Sequence, residues 1–566
     1  MGEVATKEYM AQRSARKTRR VWLPILLFGA CFAVLLGRLV HIQVVNHDNY
    51  SVQAENTLIG NDILEAPRGK IFDRNGQPLV LSIDTWDLYI STRAWSVKET
   101  AKQAAKAIAN ETGLDDKKLQ LLVHESSLVD QVVARDLSYE TGLKLMELAP
   151  LGAVLLPNTA RSYPNGKLAL EILGFIGTDN LGLAGIEAVY DSLLAGEPGN
   201  FVYERDSRGA PIPFGIHIID EPAAGSSIKL TIDRRIQSIA EKELARALKE
   251  NEGTGGTILI MDPFNGEIFA LASEPELSAI TQLYEPGSVL KVITAAIGLD
   301  LEVITPETTY FDTGITYVHG EPIQNWESRS YGLTTMTEVL QHSINTGSVF
   351  MVEQIGAENF HNYLERFSFN TATGIDLPKE AEGIVPTPDD KNWSPVDLAT
   401  QSFGQSISIT PLQLIRAFAA TINGGHLVQP HILMSSLSES GEQYEFEKKQ
   451  GVKVISPETS ASIREMLNKV VNTYTWHPAR PRHYSSGGKS GTANIPAMGG
   501  YSDDQIISFM SFAPLENPRV VILVKIDRNK NKLTGTEAAG PVIARLIDKT
   551  LPLLNVPPTA RYVGVK

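Results

Sequence analysis

The sequence predicts an α+β protein held to a membrane by a single N-terminal helix. Three observations predict it: an uncharged run behind a basic tail, short apolar strands punctuated by Gly, Pro and Asn-Gly turns, and a helical middle lying between strands drawn from both ends of the second half. A chain of 566 residues, 43% hydrophobic and 20% charged, is long enough for two or three domains with buried cores.

Residues 1–20 carry Lys7, Arg13, Arg16, Lys17, Arg19 and Arg20 against Glu3 and Glu8, a net of +4, while the whole chain carries −14 and so everything after residue 20 carries −18. That acidic surplus argues against a nucleic-acid surface. Val21–Gly37 is uncharged, and Leu39-Val40 extend it past Arg38, which can snorkel to the headgroups, so residues 21–40 are long enough to span a bilayer. Basic residues directly before the span predict a cytoplasmic tail, 1–20, and an extracytoplasmic body. The run exceeds a usual signal core and no Ala-x-Ala site follows, so the anchor is expected to be retained. Cys31, the one cysteine, lies within the span, which leaves no disulfide or multi-cysteine site outside. The 11 histidines form no His-Glu-x-x-His spacing, so neither a metal nor another cofactor is expected.

Residues 41–58 read as a helical stalk. Lys70–Asp73 and Pro78–Ser82 then read as a hairpin around Asn75-Gly76. Residues 97–148 have helical spacing, as in Ala101-Ala104-Ala105-Ile108, and predict a helical insertion. Turn residues and short apolar runs alternate from Arg161-Ser-Tyr-Pro164 to Asp206-Ser-Arg-Gly209, and Pro211–Ser226 is the linker candidate. Ser227–Ile232 is a strand. Asp233 caps a helix with Ile236, Ile239, Ala240, Leu244 and Leu248 on its apolar side. Thr257–Met261 and Ile268–Ala272 form a second hairpin, Ile506–Phe512 and Val520–Ile526 two late strands, and Glu537–Leu551 a final helix before a tail at 553–566. Together these imply an antiparallel sheet with helices on its faces.

Ser288-Val-Leu-Lys291, Ser343-Ile-Asn345 and Lys489-Ser-Gly-Thr492 stand in that order, the second about 55 and the third about 200 residues after the first. Alone, each has a bland explanation: a helix cap with a solvated lysine, a polar loop, an edge strand of small residues. Ser-x-x-Lys also occurs at Ser14, Ser226 and Ser486, and Ser-x-Asn at Ser368. Only Ser288 follows Tyr284-Glu-Pro-Gly287 and precedes a helical apolar pattern, Val292, Ile293, Ala296 and Ile297. That pattern sets Ser288 and Lys291 one turn apart on one helix face. A desolvated lysine near another cation has a depressed pKa and accepts a serine proton, while the helix start favours the developing alkoxide. Nucleophile, base, proton route and substrate grip for acyl transfer are all available in the three motifs.

With Arg68-Gly-Lys-Ile-Phe-Asp-Arg-Asn-Gly76, Gly185-Ile-Glu187, Leu230-Thr-Ile-Asp233 and Ser402-Phe-Gly-Gln405-Ser-Ile-Ser-Ile-Thr410-Pro-Leu-Gln413, the triple closely resembles the class B penicillin-binding proteins, membrane-anchored peptidoglycan D,D-transpeptidases, and most nearly their FtsI-type division branch. The resemblance implies a pedestal (dimerisation-type) domain at 59–220 and a serine β-lactamase-like transpeptidase domain at 221–552. It implies that Ser288 is acylated by the penultimate D-Ala of a stem peptide, that Lys291 is the base, and that Ser343 and Lys489 relay the proton to the leaving amine. Asn345 would hold the substrate amide, and the strand of Ser490, Gly491 and Thr492 its terminal carboxylate. Backbone N–H groups of Ser288 and Thr492 would form the oxyanion hole. The partners so implied are D-Ala-D-Ala stem peptides, β-lactam antibiotics, the cytoplasmic membrane, and a multi-span glycan polymerase with other wall-synthesis proteins. The chain departs from the family in the short Ser273–Leu283 segment, which predicts a reshaped cleft wall, and in Ile344, where many relatives carry Ser. Rival readings are an elongation-type transpeptidase, a D,D-carboxypeptidase or β-lactamase, and a non-catalytic wall-synthesis scaffold.

Overall fold

The computed structural model describes residues 24–51, 59–91, 95, 98–125, 130–204, 217–447, 449–497, 500–531 and 533–559. The expected basic tail 1–20, residues 52–58 of the stalk, 211–216 of the linker and 560–566 of the C-terminal tail lie outside them. The described residues fall into two compact units, one reaching Ala66 and adding Glu197–Ala223, the other Pro67–Gly196 with Ala224 onward.

In the first unit, Pro24–Val45 forms a helix of 22 residues with a mean hydropathy of 2.2 and no part buried in protein. At 1.5 Å per residue it is about 33 Å long, enough for one membrane span. The same unit holds a three-stranded antiparallel sheet with Gly199–Glu204 between Ile59–Leu64 and His217–Asp220. That last strand replaces part of the expected linker.

The second unit begins with the hairpin. Its first strand is only Ile71–Phe72, because Asp73 leaves the ladder to close the turn, its carboxylate accepting Asn75 N and Gln77 N at 2.8 Å each. The other strand runs fourteen residues, Pro78–Ser91. The expected all-helical block 97–148 is corrected: helices Lys98–Thr112, Asp116–Glu125 and Tyr139–Leu148 are present, but Asp130–Ser138 is a strand antiparallel to Thr85–Ser91, with Ala153–Ser162 on the other side of the same long strand. β-Branched Val132-Val133 suit a half-buried pleated surface, and a neighbouring strand was there to receive them. Arg68, Arg161 and Glu187, one from each of three distant motifs, form a buried ion cluster with both guanidinium–carboxylate contacts at 2.7 Å. The hairpin docks on the start of the helix Arg234–Asn251, where Asn75 Nδ2 donates to Asp233 at 2.8 Å and Arg234 N to Asp73 at 3.3 Å.

A five-stranded antiparallel sheet organises the rest, in the order Ile268–Glu274, Gly255–Met261, Val520–Asp527, Gly500–Ala513, Gly487–Ala497. On one face it packs against Arg234–Asn251 and Gly540–Thr550; on the other lies a helical block that includes Lys291–Asp300, Met336–His342, Asn345–Ile355, Pro411–Ile422 and Pro457–Asn472. Ile236, Ala240 and Leu244 of the first helix are buried, as their spacing predicts. The final helix is split into Gly535–Ala538 and Gly540–Thr550, since Pro541 has no N–H to continue a single helix.

Candidate active site

The turn that carries Ser288 is a joint between two stretches far apart in sequence. Tyr284 and Ile409 exchange backbone hydrogen bonds of 3.0 Å, and the buried Glu285 accepts Ser406 N at 2.9 Å. Gly287 has φ +57°, and a Cβ there would stand 2.7 Å from Thr492 O; a Cβ on Gly404 would stand 2.2 Å from Gly287 O. Glycine at both positions therefore lets the Ser288 turn close against the Thr492 backbone. The 3₁₀ turn Gly287–Val289 runs on into Lys291–Asp300, whose first eight residues are buried.

Lys291 is 0% and Lys489 1% exposed, and both are held by neutral oxygens. Lys291 Nζ donates to Ser343 O at 2.6 Å and Asn345 Oδ1 at 2.7 Å, with Ser343 Oγ at 3.5 Å. Lys489 Nζ donates to Ser343 Oγ and Ser490 O, both at 2.9 Å. Burial pushes the Lys291 pKa well below the ordinary lysine value, and the charge of Lys489 pushes it further; burial alone brings Lys489 down to about 7. A neutral Lys291 has two N–H donors and one lone pair. The donors are matched by Ser343 O and Asn345 Oδ1, which leaves the lone pair to take a proton. The ring of Phe403 lies 6.0 Å from Lys291 Nζ.

Ser343 stands at the C-terminal cap of Met336–His342 in the left-handed region, φ +56°, a conformation that costs a serine roughly 1–2 kcal/mol. The cost fits a functional position, because this backbone turn presents both the Ser343 carbonyl and its hydroxyl to the two lysines. Ile344 is buried in the core, so its side chain takes no part in the polar cluster. Asn345 opens the next helix and donates from Nδ2 to Gln324 O at 2.9 Å. Beneath it, Thr346 donates to Asp312 at 2.6 Å and from its backbone to Asn325 Oδ1 at 3.0 Å, while Asn325 Nδ2 reaches Asp312 at 3.0 Å. Ser490, Gly491 and Thr492 lie on the sheet's edge strand, so among the described residues one side of their backbone has no strand neighbour. All eight residues named from the sequence thus lie on the Ser288 turn and the helix it runs into, the Ser343 cap and the helix that follows it, or the edge strand, with Thr492 and Ser343 linking the three.

Sequence reasoning left Glu285, Phe403, Gly404, Asp312 and Asn325 without roles. The first three stand within quoted motifs, which was a signal; Asp312 and Asn325 had none. Glu171 was also missed. It comes from the short helix Leu170–Leu173 and grips the segment leading to Ser288: Ser273 N donates to it at 2.8 Å, Ser273 Oγ at 2.5 Å and Leu277 N at 2.7 Å. Burial raises its pKa to about 7 against the pull of those hydrogen bonds, and Glu241 adds to the rise. Among the described residues no group of three or more His, Cys, Asp or Glu is arranged to hold a metal ion.

Residues 256–548 match the family model of the penicillin binding protein transpeptidase domain, and residues 63–230 that of the penicillin-binding protein dimerisation domain. The chain is 32% identical to stage V sporulation protein D of Bacillus subtilis, with 97% of this chain and 88% of that protein covered. It is 26% identical to a probable peptidoglycan D,D-transpeptidase PenA of Neisseria meningitidis, covering 98% and 96%. A peptidoglycan synthetase from Bifidobacterium adolescentis superposes with a TM-score of 0.71 at 25% identity, covering 89% of this chain and 98% of that one. Penicillin binding protein 2X from Streptococcus thermophilus shares the fold, with a TM-score of 0.74 at 21% identity over 88% and 81%. The chain therefore belongs to the penicillin-binding protein transpeptidase family, as a class B member of the FtsI, PbpB and PenA type.

Proposed function

We propose that Ser288 is the acyl-enzyme nucleophile of this D,D-transpeptidase and that Lys291 is its base. The observation that carries the reading is the buried Lys291, held by neutral oxygens of Ser343 and Asn345 with Lys489 behind it. Ser288 Oγ attacks the carbonyl carbon of the penultimate D-Ala while its proton passes to Lys291 Nζ. The C–N bond to the terminal D-Ala then breaks, and the proton reaches the leaving amine through Ser343 Oγ, which Lys489 orients. The acceptor amine attacks the ester, its proton leaves by the same groups, and Ser288 regains its hydroxyl hydrogen. Backbone N–H groups of Ser288 and Thr492 hold the oxyanion, Ser490 and Thr492 with Gly491 between them hold the terminal carboxylate, and the second Nδ2 hydrogen of Asn345 holds the substrate amide. β-Lactams enter the same path and stop at the ester.

In this reading residues 59–220 are the pedestal and 221–552 the transpeptidase domain, with the tail 1–20 cytoplasmic, the body extracytoplasmic, and glycan polymerisation supplied by a multi-span partner. The role assigned is septal. Filaments on depletion support it, round cells would move the protein to lateral wall growth, and a defect confined to spores would align it with the sporulation relative. The chemical test is fluorescent-penicillin labelling of the full chain in detergent, with the modified peptide identified by mass spectrometry. A stable adduct on Ser288 is expected; a folded sample without one sinks the assignment.

A further inference from the structure

The loop between Pro457–Asn472 and the Lys489 strand carries two aromatic side chains that the fold does not bury. Tyr474 and Trp476 stack with ring centroids 5.3 Å apart and planes 26° apart, yet are 48% and 73% exposed. The backbone that bears them is fixed on both sides. Gln341 Nε2, two residues before Ser343, donates to Thr473 Oγ1 at 2.6 Å, and Asn472 Nδ2 donates to Ser486 O at 2.7 Å, three residues before Lys489. His477 N returns to Tyr474 O at 3.2 Å, and the His477 ring meets Phe509, the cross-strand neighbour of Ser490, edge-on at 6.1 Å. The imidazole pKa is lowered by burial and then by the charge of Lys489, which places this loop within electrostatic reach of the catalytic cluster.

The direction along the strand matters. Thr492 and Gly491 both lie against the turn of Ser288, so moving back from them through Ser490 and Lys489, on the side assigned to the terminal carboxylate, leads to Ser486, which Asn472 at the start of this loop holds. The departing D-Ala vacates that side, and the acceptor amine must reach the same acyl carbon through the vacated space. It arrives as an ammonium on an aliphatic stem, because a primary amine in water is protonated near neutrality, and it gives one proton to solvent before its lone pair attacks the ester. Exposed aromatic faces attract such a group through the ring quadrupole, and their flanks pack the methylenes.

We propose that Tyr474 and Trp476 form a binding platform for the ammonium-bearing side chain of the acceptor stem peptide. The platform rests on the transpeptidase reading and adds to it a site that serves only the second half-reaction.

The experiment uses the full chain in detergent, a thioester donor ending in the acyl group of D-Ala, and a stem tetrapeptide whose third residue carries a primary amine. Fluorescent-penicillin acylation, which involves no acceptor, is the internal control. Trp476→Ala and the double variant with Tyr474→Ala are expected to acylate within about twofold of the parent, while the ratio of aminolysis to hydrolysis falls about fivefold or more through a weaker acceptor KM. Trp476→Phe should restore much of that ratio and Trp476→Leu should not, since only the former keeps a quadrupole. An unchanged ratio, an equal recovery by Leu, or a parallel fall in acylation overturns the platform alone. A parent enzyme that acylates but only hydrolyses overturns the transpeptidase reading and the platform with it.

Discussion

Lysine is buried in two different settings in this protein. Lys525 is 0% exposed, as Lys291 is, but it forms an ion pair with Asp527 and lies over the face of Tyr284 at 4.9 Å. Among the described residues, Lys291 and Lys489 have only hydroxyl, amide and carbonyl oxygens as hydrogen-bond partners. Burial penalises the charged form in all three, and a carboxylate opposes that penalty in one. The difference separates a lysine whose charged form is favoured by a carboxylate partner from a pair in which burial has no carboxylate to oppose it, the setting the proposed proton transfer needs.

The largest expected effects come from removing Ser288 or the Lys291 member of the uncompensated pair. Ser288→Ala should abolish penicillin labelling, and Lys291→Ala should lower the acylation rate constant by about 10³-fold or more at an unchanged thermal melt, consistent with the loss of a general base. Asn345→Ala should weaken acylation less, with the fold intact. Unfolding of these variants by circular dichroism would leave a structural role as the explanation.

Lys525→Met tests the compensated lysine. It leaves Asp527 buried without its partner and should cost about 3–5 kcal/mol in chemical denaturation, while the folded fraction still acylates. Lys525→Met with Asp527→Leu should recover most of that stability. Loss of acylation in the folded double variant would assign Lys525 to the chemistry and erase the distinction.

Uncompensated groups also give stability a pH dependence whose sign depends on the group. Lys489 has a folded pKa of about 7, below that of the unfolded chain, so between pH 7 and the ordinary lysine value the unfolded state binds more protons and stability rises with pH. Glu171 has a folded pKa of about 7, above its unfolded value, so stability falls as pH rises from the ordinary glutamate range through 7, by about 3 kcal/mol. Melting temperatures measured across pH should lose the first slope in Lys489→Met and the second in Glu171→Gln. A Glu171→Gln profile parallel to the parent's would refute the second assignment.

The smallest effect concerns Lys489 in turnover. As pH rises through about 7 it loses the proton that the proposed relay hands through Ser343 toward the leaving amine, so kcat for a D-Ala-D-Ala donor should fall about tenfold or less. Lys489→Arg should remove that inflection, because a guanidinium stays charged.

Much of this site was legible because the residues assigned to the chemistry sit in short motifs. The sequence order of Ser288, Ser343 and Lys489 survives folding as three adjoining pieces of backbone, and the apolar pattern after Lys291 announces the helix that buries it. The hairpin was legible from Asn75-Gly76, and the capped helix after Asp233 from its periodicity. What escaped depended on tertiary partners. Asp130–Ser138 is a strand because Pro78–Ser91 offers it a ladder, a fact no local pattern contains. Asp312 and Asn325 look like ordinary loop residues until Thr346 stands above them. Glu171 acquires its unusual pKa only from Ser273 and Leu277, about a hundred residues away.

The strand Pro78–Ser91 also has a mechanical consequence. At about 3.3 Å per residue it is a bar of roughly 46 Å. Ala153–Ser162 runs beside it from Leu81 to Ile90, Asp130–Ser138 flanks its far half on the other side, and its near end lies in the hairpin that grips the helix Arg234–Asn251 through Asp73 and Asn75. A strand paired along most of its length moves with its sheet and not alone. A load applied at the far tip would thus arrive at the foot of a helix that backs the sheet of Lys489.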